Sequence, residues 1–182
     1  SSTGVEVALT TNASLLSGQA PRLADAGLDR VTVSLDALDP KIHSQMTDSS
    51  IPVEVVLGGI DAALEAGLSP VKVNCVVQRG VNETEVAPLV RRFKGTGVTV
   101  RFIEYMDVGR TNGWQLGQVV PSADLLRYLQ EEFELEPVES SSPSDVARRW
   151  AHSDGSGEVG FISSVSEPFC GDCVRARLSA DG

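Results

Sequence analysis

Three β-branched runs limit what this chain can fold into: RVTVSLD at residues 30–36, VKVNCVV at 71–77 and VTVRFIEY at 98–105, each separated from the next by a helical pattern. Antiparallel strands can be joined by a two-residue turn, but parallel strands need a crossover of a dozen or more residues, usually a helix. Strand, helix, strand and helix at this spacing specify βαβ units and a parallel sheet. A shorter strand is expected at residues 6–10, and residues 21–26 form the main body of a helix stopped by Gly27. Pro52 opens the next helix, whose Val56, Ile60, Ala63 and Leu64 fall on one face of a 3.6-residue period before Gly67 closes it. Asn82 with Glu85 three residues on has the form of a capping box, followed by a buried stripe of Val86, Leu89, Val90 and Phe93 and a stop at Gly95.

The strands carry a second signal. Parallel strands covered on both faces read as continuous apolar runs, yet here Val5, Val7 and Leu9 alternate with Glu6, Ala8 and Thr10, and Val31, Val33 and Leu35 with Thr32, Ser34 and Asp36. The same holds for Val71, Val73 and Cys75 against Lys72 and Asn74, and for Val98, Val100 and Phe102 against Thr99 and Arg101. If the apolar set lies beneath the helices, the polar set lines the other side. The expectation is a polar-lined barrel or half-barrel interior with Thr10, Ser34, Lys72 and Arg101 facing a ligand. An open sheet with one solvated face is the alternative, in which Lys72 is a snorkelling edge lysine.

Beyond the third run the pattern changes. Residues 107–121 form a Gly-rich loop of a kind that covers sites, Ser122 starts a helix with Leu125, Leu126, Leu129 and Phe133 as its inner face, and residues 136–145 read as a Pro/Ser-rich linker. ARRWAH and GEVGFISSVS then form two antiparallel strands joined by a turn at residues 153–157. Cys75 is expected to be an inert core residue, Asp36 and Asp39 to be turn and cap residues, and His43 and His152 to lie at the surface.

The chain closes on FCGDCVRARLSADG. Cys170 and Cys173 at C-x-x-C spacing can place two sulfurs on one metal centre, which is half a site; by spacing alone zinc comes first. Three cysteines, two of them so paired, fit a reducing compartment better than a disulfide scaffold. A formal net charge of −10 argues against nucleic-acid or anionic-membrane partners, so any anionic ligand must be held by a local basic cluster. No secretory signal or membrane-length apolar run is evident, making the cytoplasm the default.

FCGDCVRARLSADG resembles the C-terminal cluster-binding segment of the GTP 3',8-cyclase family (molybdenum cofactor biosynthesis protein A) in the radical S-adenosylmethionine superfamily. LTTNASLL, AGLDRVTVSLDALD, VKVNCVVQRGVNE, VRFIEYMDVG and ISSVSEPFCGDC are similar to the same family in the same order. The resemblance implies a partial (βα) barrel over residues 1–135 and, over 136–182, a linker with a cluster- and substrate-binding β-hairpin extension. It implies that Thr10, Lys72, Arg175, Ala176 and Arg177 contact GTP, that Ser34 and Met106 contact S-adenosylmethionine, and that Cys170 and Cys173 ligate a second 4Fe-4S cluster. The family's C-x-x-x-C-x-x-C motif, which holds its first cluster, is absent. An internal fragment, inactive alone, is therefore expected, with no catalytic residue assigned in it. The activity implied is radical cyclisation of GTP in the first step of molybdopterin biosynthesis, upstream of cyclic pyranopterin monophosphate synthase; a homodimer is left open. Two other readings remain: a radical S-adenosylmethionine enzyme with an auxiliary cluster acting on a peptide, and a non-catalytic zinc-binding module.

Overall fold

The computed structural model describes residues 4–109, 113–139 and 145–168, together with Leu178. Its strands are β1 (Ala8–Thr11), β2 (Arg30–Ser34), β3 (Val71–Val77), β4 (Val98–Glu104), β5 (Leu135–Val138), β6 (Arg148–His152) and β7 (Glu158–Ile162). Its α-helices are α1 (Leu16–Asp25), α2 (Pro40–Thr47), α3 (Val53–Glu65), α4 (Val86–Phe93) and α5 (Ser122–Gln130). The strands form one mixed sheet in the order β1-β2-β3-β4-β7-β6-β5. β1 to β4 and β7 are parallel neighbours, while β6 and β5 run antiparallel at the far edge.

The alternation read in the sequence is the alternation of burial. In β3, Val71, Val73, Cys75 and Val77 are buried while Lys72, Asn74 and Val76 are half-buried, and β4 repeats the pattern from Val98 to Glu104. The buried set shares one core with Ile60 of α3, Leu89 and Phe93 of α4 and Leu125 and Leu129 of α5. Each such side chain contributes about 1.5–3 kcal/mol by leaving water. Because strand side chains have a period of two, fixing the apolar set under the helices sends the polar set to the opposite face.

Gly59 lets α1 and α3 approach closely: a Cβ there would lie 3.0 Å from both the Cβ and the carbonyl oxygen of Ala13. The hairpin forms as expected, but β7 also continues the parallel sheet, with Val100 opposite Val159 and Phe102 opposite Phe161.

Several local expectations are corrected. α1 begins at Leu16, with Pro21 inside it, rather than centring on residues 21–26. The eight-residue α2 lies outside the expected helices; Asp39 caps it by accepting from the N–H groups of Lys41 and Ile42. The linker expected at 136–145 starts as strand, with Pro137 opposite Trp150; β5 is an edge strand, where proline and charge are tolerated. His43 and His152 are buried rather than exposed, and the His152 ring stands edge-on to Phe133 with centroids 5.7 Å apart.

The capping box at Asn82 is not made. The Asn82 carboxamide accepts from the Gln78 N–H and donates to the carbonyls of Asp36 and Val76, while Glu85 accepts from the N–H groups of Leu38 and Asp39. Both side chains are buried, and long-range partners replace the local ones a solvated helix start would use.

Candidate functional site

The strand register lays the polar face out in rows. Thr10 of β1 pairs with Thr32 of β2, Thr32 with Lys72 of β3, and Lys72 with Thr99 of β4. One row over, Ser34 pairs with Asn74, Asn74 with Arg101, Arg101 with Gly160 and Gly160 with Arg149. Residues paired across a sheet project to the same side, so three cations from three strands share one face.

Between them lies a cleft of about 410 Å³ lined by Lys72, Thr99, Arg101, Arg149, Glu158 and Gly160, among others. Burial pulls the Lys72 ammonium below the ordinary lysine range, and Arg101, Arg30 and Arg149 push in the same direction, with Glu6 opposing them. Burial, then Arg30, likewise lowers the Arg101 pKa. The Arg101 guanidinium is aimed by a 2.9 Å bond from its Nε to the Asn74 carboxamide oxygen. Mutually repelling, partly desolvated cations form a site that gains from an anion, and Arg adds a bidentate fork to the point charge of Lys. This local cluster sits in a chain whose net charge is −10.

A second cavity, of about 710 Å³, lies at the C-terminal ends of β3 and β4, with Val76, Ile103, Met106 and Met46 as apolar wall and Asp36 and Gln78 as polar groups. Asp36 is held by the Val76 N–H at 2.7 Å, and burial raises its carboxyl pKa against the opposing effects of that bond and His43. Val76 and Gln78 alternate with the buried β3 set, as Ile103 does with that of β4, so the cavity opens on the same face as the cationic cleft. Apolar walls with a few polar groups suit a nucleoside-sized ligand.

The positions singled out from sequence thus divide. Lys72 lines the cationic cleft and Met106 the second cavity. Thr10 and Ser34 are exposed on the polar face, in the rows of Lys72 and Arg101 respectively. Cys170, Cys173, Arg175, Ala176 and Arg177 lie outside the described residues. Cys75 is fully buried, and burial raises its thiol pKa well above the ordinary value, as do Asp36 and Glu85. Among the described residues no group of three or more His, Cys, Asp or Glu could hold a metal ion.

Two features escaped the sequence reading. Arg149 and Gly160 belong to strands taken as a separate extension, and only the β4–β7 pairing brings them beside Lys72. Glu104, at the end of β4, is fully buried. Burial favours its protonated form, but bonds from the Ser166 hydroxyl and the Ser166, Ser122 and Val165 N–H groups outweigh that and lower its pKa. The chain leading to Cys170 is thereby tied to the parallel sheet at residues 165–166.

The radical SAM superfamily profile matches residues 1–93, half of the chain. The chain belongs to the radical SAM superfamily. The Molybdenum Cofactor Synthesis C family matches residues 98–182, so the two profiles meet between α4 and β4 of this radical SAM chain. A GTP 3',8-cyclase of Xanthomonas campestris pv. campestris (strain B100) is 54% identical over 180 residues, covering 98% of the chain and 53% of the relative. GTP 3',8-cyclases of Acidothermus cellulolyticus (49% over 177 residues, 97% and 49%) and Staphylococcus carnosus (45% over 180 residues, 98% and 53%) are also similar. The chain spans about half the length of these curated relatives. A crystal structure of a domain of pyruvate-formate lyase-activating enzyme from Bacteroides vulgatus superposes with a TM-score of 0.54 at 15% identity, covering 71% of this chain and 76% of that one. At that identity the likeness shows the fold alone.

Proposed function

We propose that this chain is the core of a GTP 3',8-cyclase, converting GTP to the cyclic precursor of molybdopterin in the first step of molybdenum cofactor biosynthesis. The observation that carries the reading is the cationic cleft at Lys72 and Arg101, in a radical SAM chain 54% identical to a GTP 3',8-cyclase. On this reading Lys72 and Arg101 neutralise the triphosphate, Thr10 orients a ribose or phosphate oxygen, and Arg175, Ala176 and Arg177 complete the substrate contacts. Ser34 and Met106 contact S-adenosylmethionine, to which the apolar wall around Met106 is suited. Cys170 and Cys173 provide two soft thiolates of the kind an iron–sulfur cluster takes, whereas the buried Cys75 provides none. When bound, S-adenosylmethionine and two 4Fe-4S clusters supply the radical chemistry; the protein supplies positioning and charge.

Residues 1–135 serve as the barrel part and 136–182 as the cluster- and substrate-binding part. The product passes to cyclic pyranopterin monophosphate synthase, and the setting is the cytoplasm. No helix among the described residues is long and apolar enough to cross a membrane.

The test is anaerobic reconstitution of the protein in its full natural length, with iron, sulfide and zinc analysis and an assay of GTP conversion. Iron with sulfide, lost in part when Cys170 and Cys173 are replaced, and turnover of GTP are expected. Stoichiometric zinc, or intact clusters without GTP conversion, rejects the assignment.

A further inference from the structure

The cross-sheet row through Arg101 has no side chain at its centre. Arg101 and Arg149 are both register partners of Gly160, from opposite sides, so the two arginines flank a strand whose residue between them is only backbone. Adjacent strands lie about 4.8 Å apart, which puts the two arginine backbones about 10 Å from each other. The Arg101 stem runs over this glycine: a Cβ at Gly160 would stand 3.1 Å from Arg101 Cγ, 3.6 Å from Arg101 Cδ and 3.5 Å from Ala147 Cβ. Gly160 and both arginines line the cleft that Lys72 also lines.

Arg149 is already engaged with a carboxylate there. Its Nη1 lies 3.3 Å from Glu158 Oε2, and its Nη2 donates to the Glu139 carbonyl at 3.3 Å. The Glu158 contact is long for a guanidinium–carboxylate pair, which runs at about 2.7–2.9 Å. Glu158 lines the cleft itself, next to its own strand's Gly160 site, and an oxyanion there competes with it for the same fork. Lys72 has no ion-pair or hydrogen-bond partner among the described residues, and its lowered pKa includes repulsion from Arg149 as well as Arg101.

We propose that Arg149, over the glycine floor at Gly160, is a further binding residue for the polyphosphate of the substrate, with Glu158 as the resident carboxylate that the phosphate displaces. The proposal rests on the GTP reading and adds to it a cation supplied by β6. It makes the sheet's antiparallel extension part of the polyanion site rather than a support for the terminal segment alone. A doubly anionic phosphate group spanning Arg101 and Arg149 relieves the repulsion each exerts on Lys72, and a third contact from Lys72 places a chain of two or three phosphates along the strand row. Glu158 lowers affinity for any polyanion, because its charge must be turned away as the anion enters.

The experiment is calorimetric titration of the protein in its full natural length with inorganic triphosphate and with GTP, at about 50 mM salt, where charge contributions are least screened. Arg149→Met keeps the aliphatic stem; it is expected to weaken inorganic triphosphate about tenfold, the equivalent of about 1.4 kcal/mol. Glu158→Gln is expected to tighten it several-fold, a gain that loss of folding cannot mimic. Both effects should appear with GTP and vanish with guanosine. If Arg149→Met and Glu158→Gln bind triphosphate as the parent does while Lys72→Met loses it, the role of Arg149 is overturned and the GTP reading stands. If Lys72→Met also binds GTP unchanged, the reading beneath it fails as well.

Discussion

Glu104 Oε2 accepts the backbone N–H of Ser166 at 2.7 Å across a sequence separation of 62 residues, joining the end of a parallel strand to the turn that precedes Cys170. The same carboxylate takes the N–H groups of Val165 and Ser122 at 2.9 and 2.8 Å and both serine hydroxyls, with no exposure to water. The strand end, the start of α5 and the turn at residues 165–166 are thus fastened by one buried charge.

Glu104→Ala leaves two backbone donors at residues 165–166 and one at Ser122 without their acceptor. Loss of about 3 kcal/mol or more of stability is expected from unsatisfied buried groups, read by denaturant unfolding, together with faster amide exchange at Val165 and Ser166. Because the folded-state pKa of Glu104 is lowered, its contribution is present above the unfolded carboxyl pKa and lost as pH falls through the folded one. The parent should therefore lose stability on acidification more steeply than Glu104→Gln does. Equal slopes would remove Glu104 from this role.

Gly160→Ala forces the Arg101 stem aside by a few tenths of an ångström, since the new methyl meets Arg101 Cγ at 3.1 Å. Overpacking of this kind costs about 1–3 kcal/mol. The expected result is a lowered melting temperature with weaker triphosphate binding, and a larger binding loss in Gly160→Ala than in the neighbouring Val159→Ala, which faces the helices. Unchanged affinity would show that Arg101 does not need its present path over β7.

Lys72 sets an alkaline limit on anion binding. Its folded-state pKa lies below the ordinary lysine value of 10.5, so it loses its charge at a lower pH than a solvated lysine does. In the free protein the lowered pKa means that the charged form is disfavoured by folding; this penalty is full below the folded pKa, shrinks as pH rises beyond it and is gone above the unfolded value. A bound polyanion reverses the preference, so binding takes up protons at alkaline pH and weakens as pH climbs. Lys72→Arg, with a guanidinium that stays charged, should hold its affinity over the same range. A parent profile as flat as that of Lys72→Arg would contradict the cationic role.

Cys75 should resist thiol reagents. It is fully buried under the helices, and burial together with Asp36 and Glu85 suppresses its thiolate. In a Cys170→Ser/Cys173→Ser background, labelling at pH 8 is expected to be negligible until denaturant unfolds the chain. Rapid labelling of the native protein would mean that the core beneath β3 opens.

Much of this architecture is legible locally. The strands at 30–34, 71–77 and 98–104 and the faces of α3 and α4 follow from periods of 2 and 3.6, because burying one apolar set fixes the direction of its neighbours. The polar row that includes Lys72 and Arg101 follows from the same rule. Buried polar networks were not legible. Asn82 and Glu85 look like a local cap, but each finds better partners 46 or 47 residues away on the β2–α2 turn. The burial of His43 and His152 is not legible either, because one titratable residue in a mixed segment has no periodic signature.

The parallel sheet, its helix-covered face and the cations on the other face are all written into the order of residues, since each depends on side-chain spacing within one element. That β7 lies against β4, that Gly160 separates Arg101 from Arg149, and that Glu104 receives residues 165–166 emerges only in the folded chain. Those contacts join segments whose spacing along the chain carries no information about their meeting, and the free energy that selects them comes from burying the whole sheet at once.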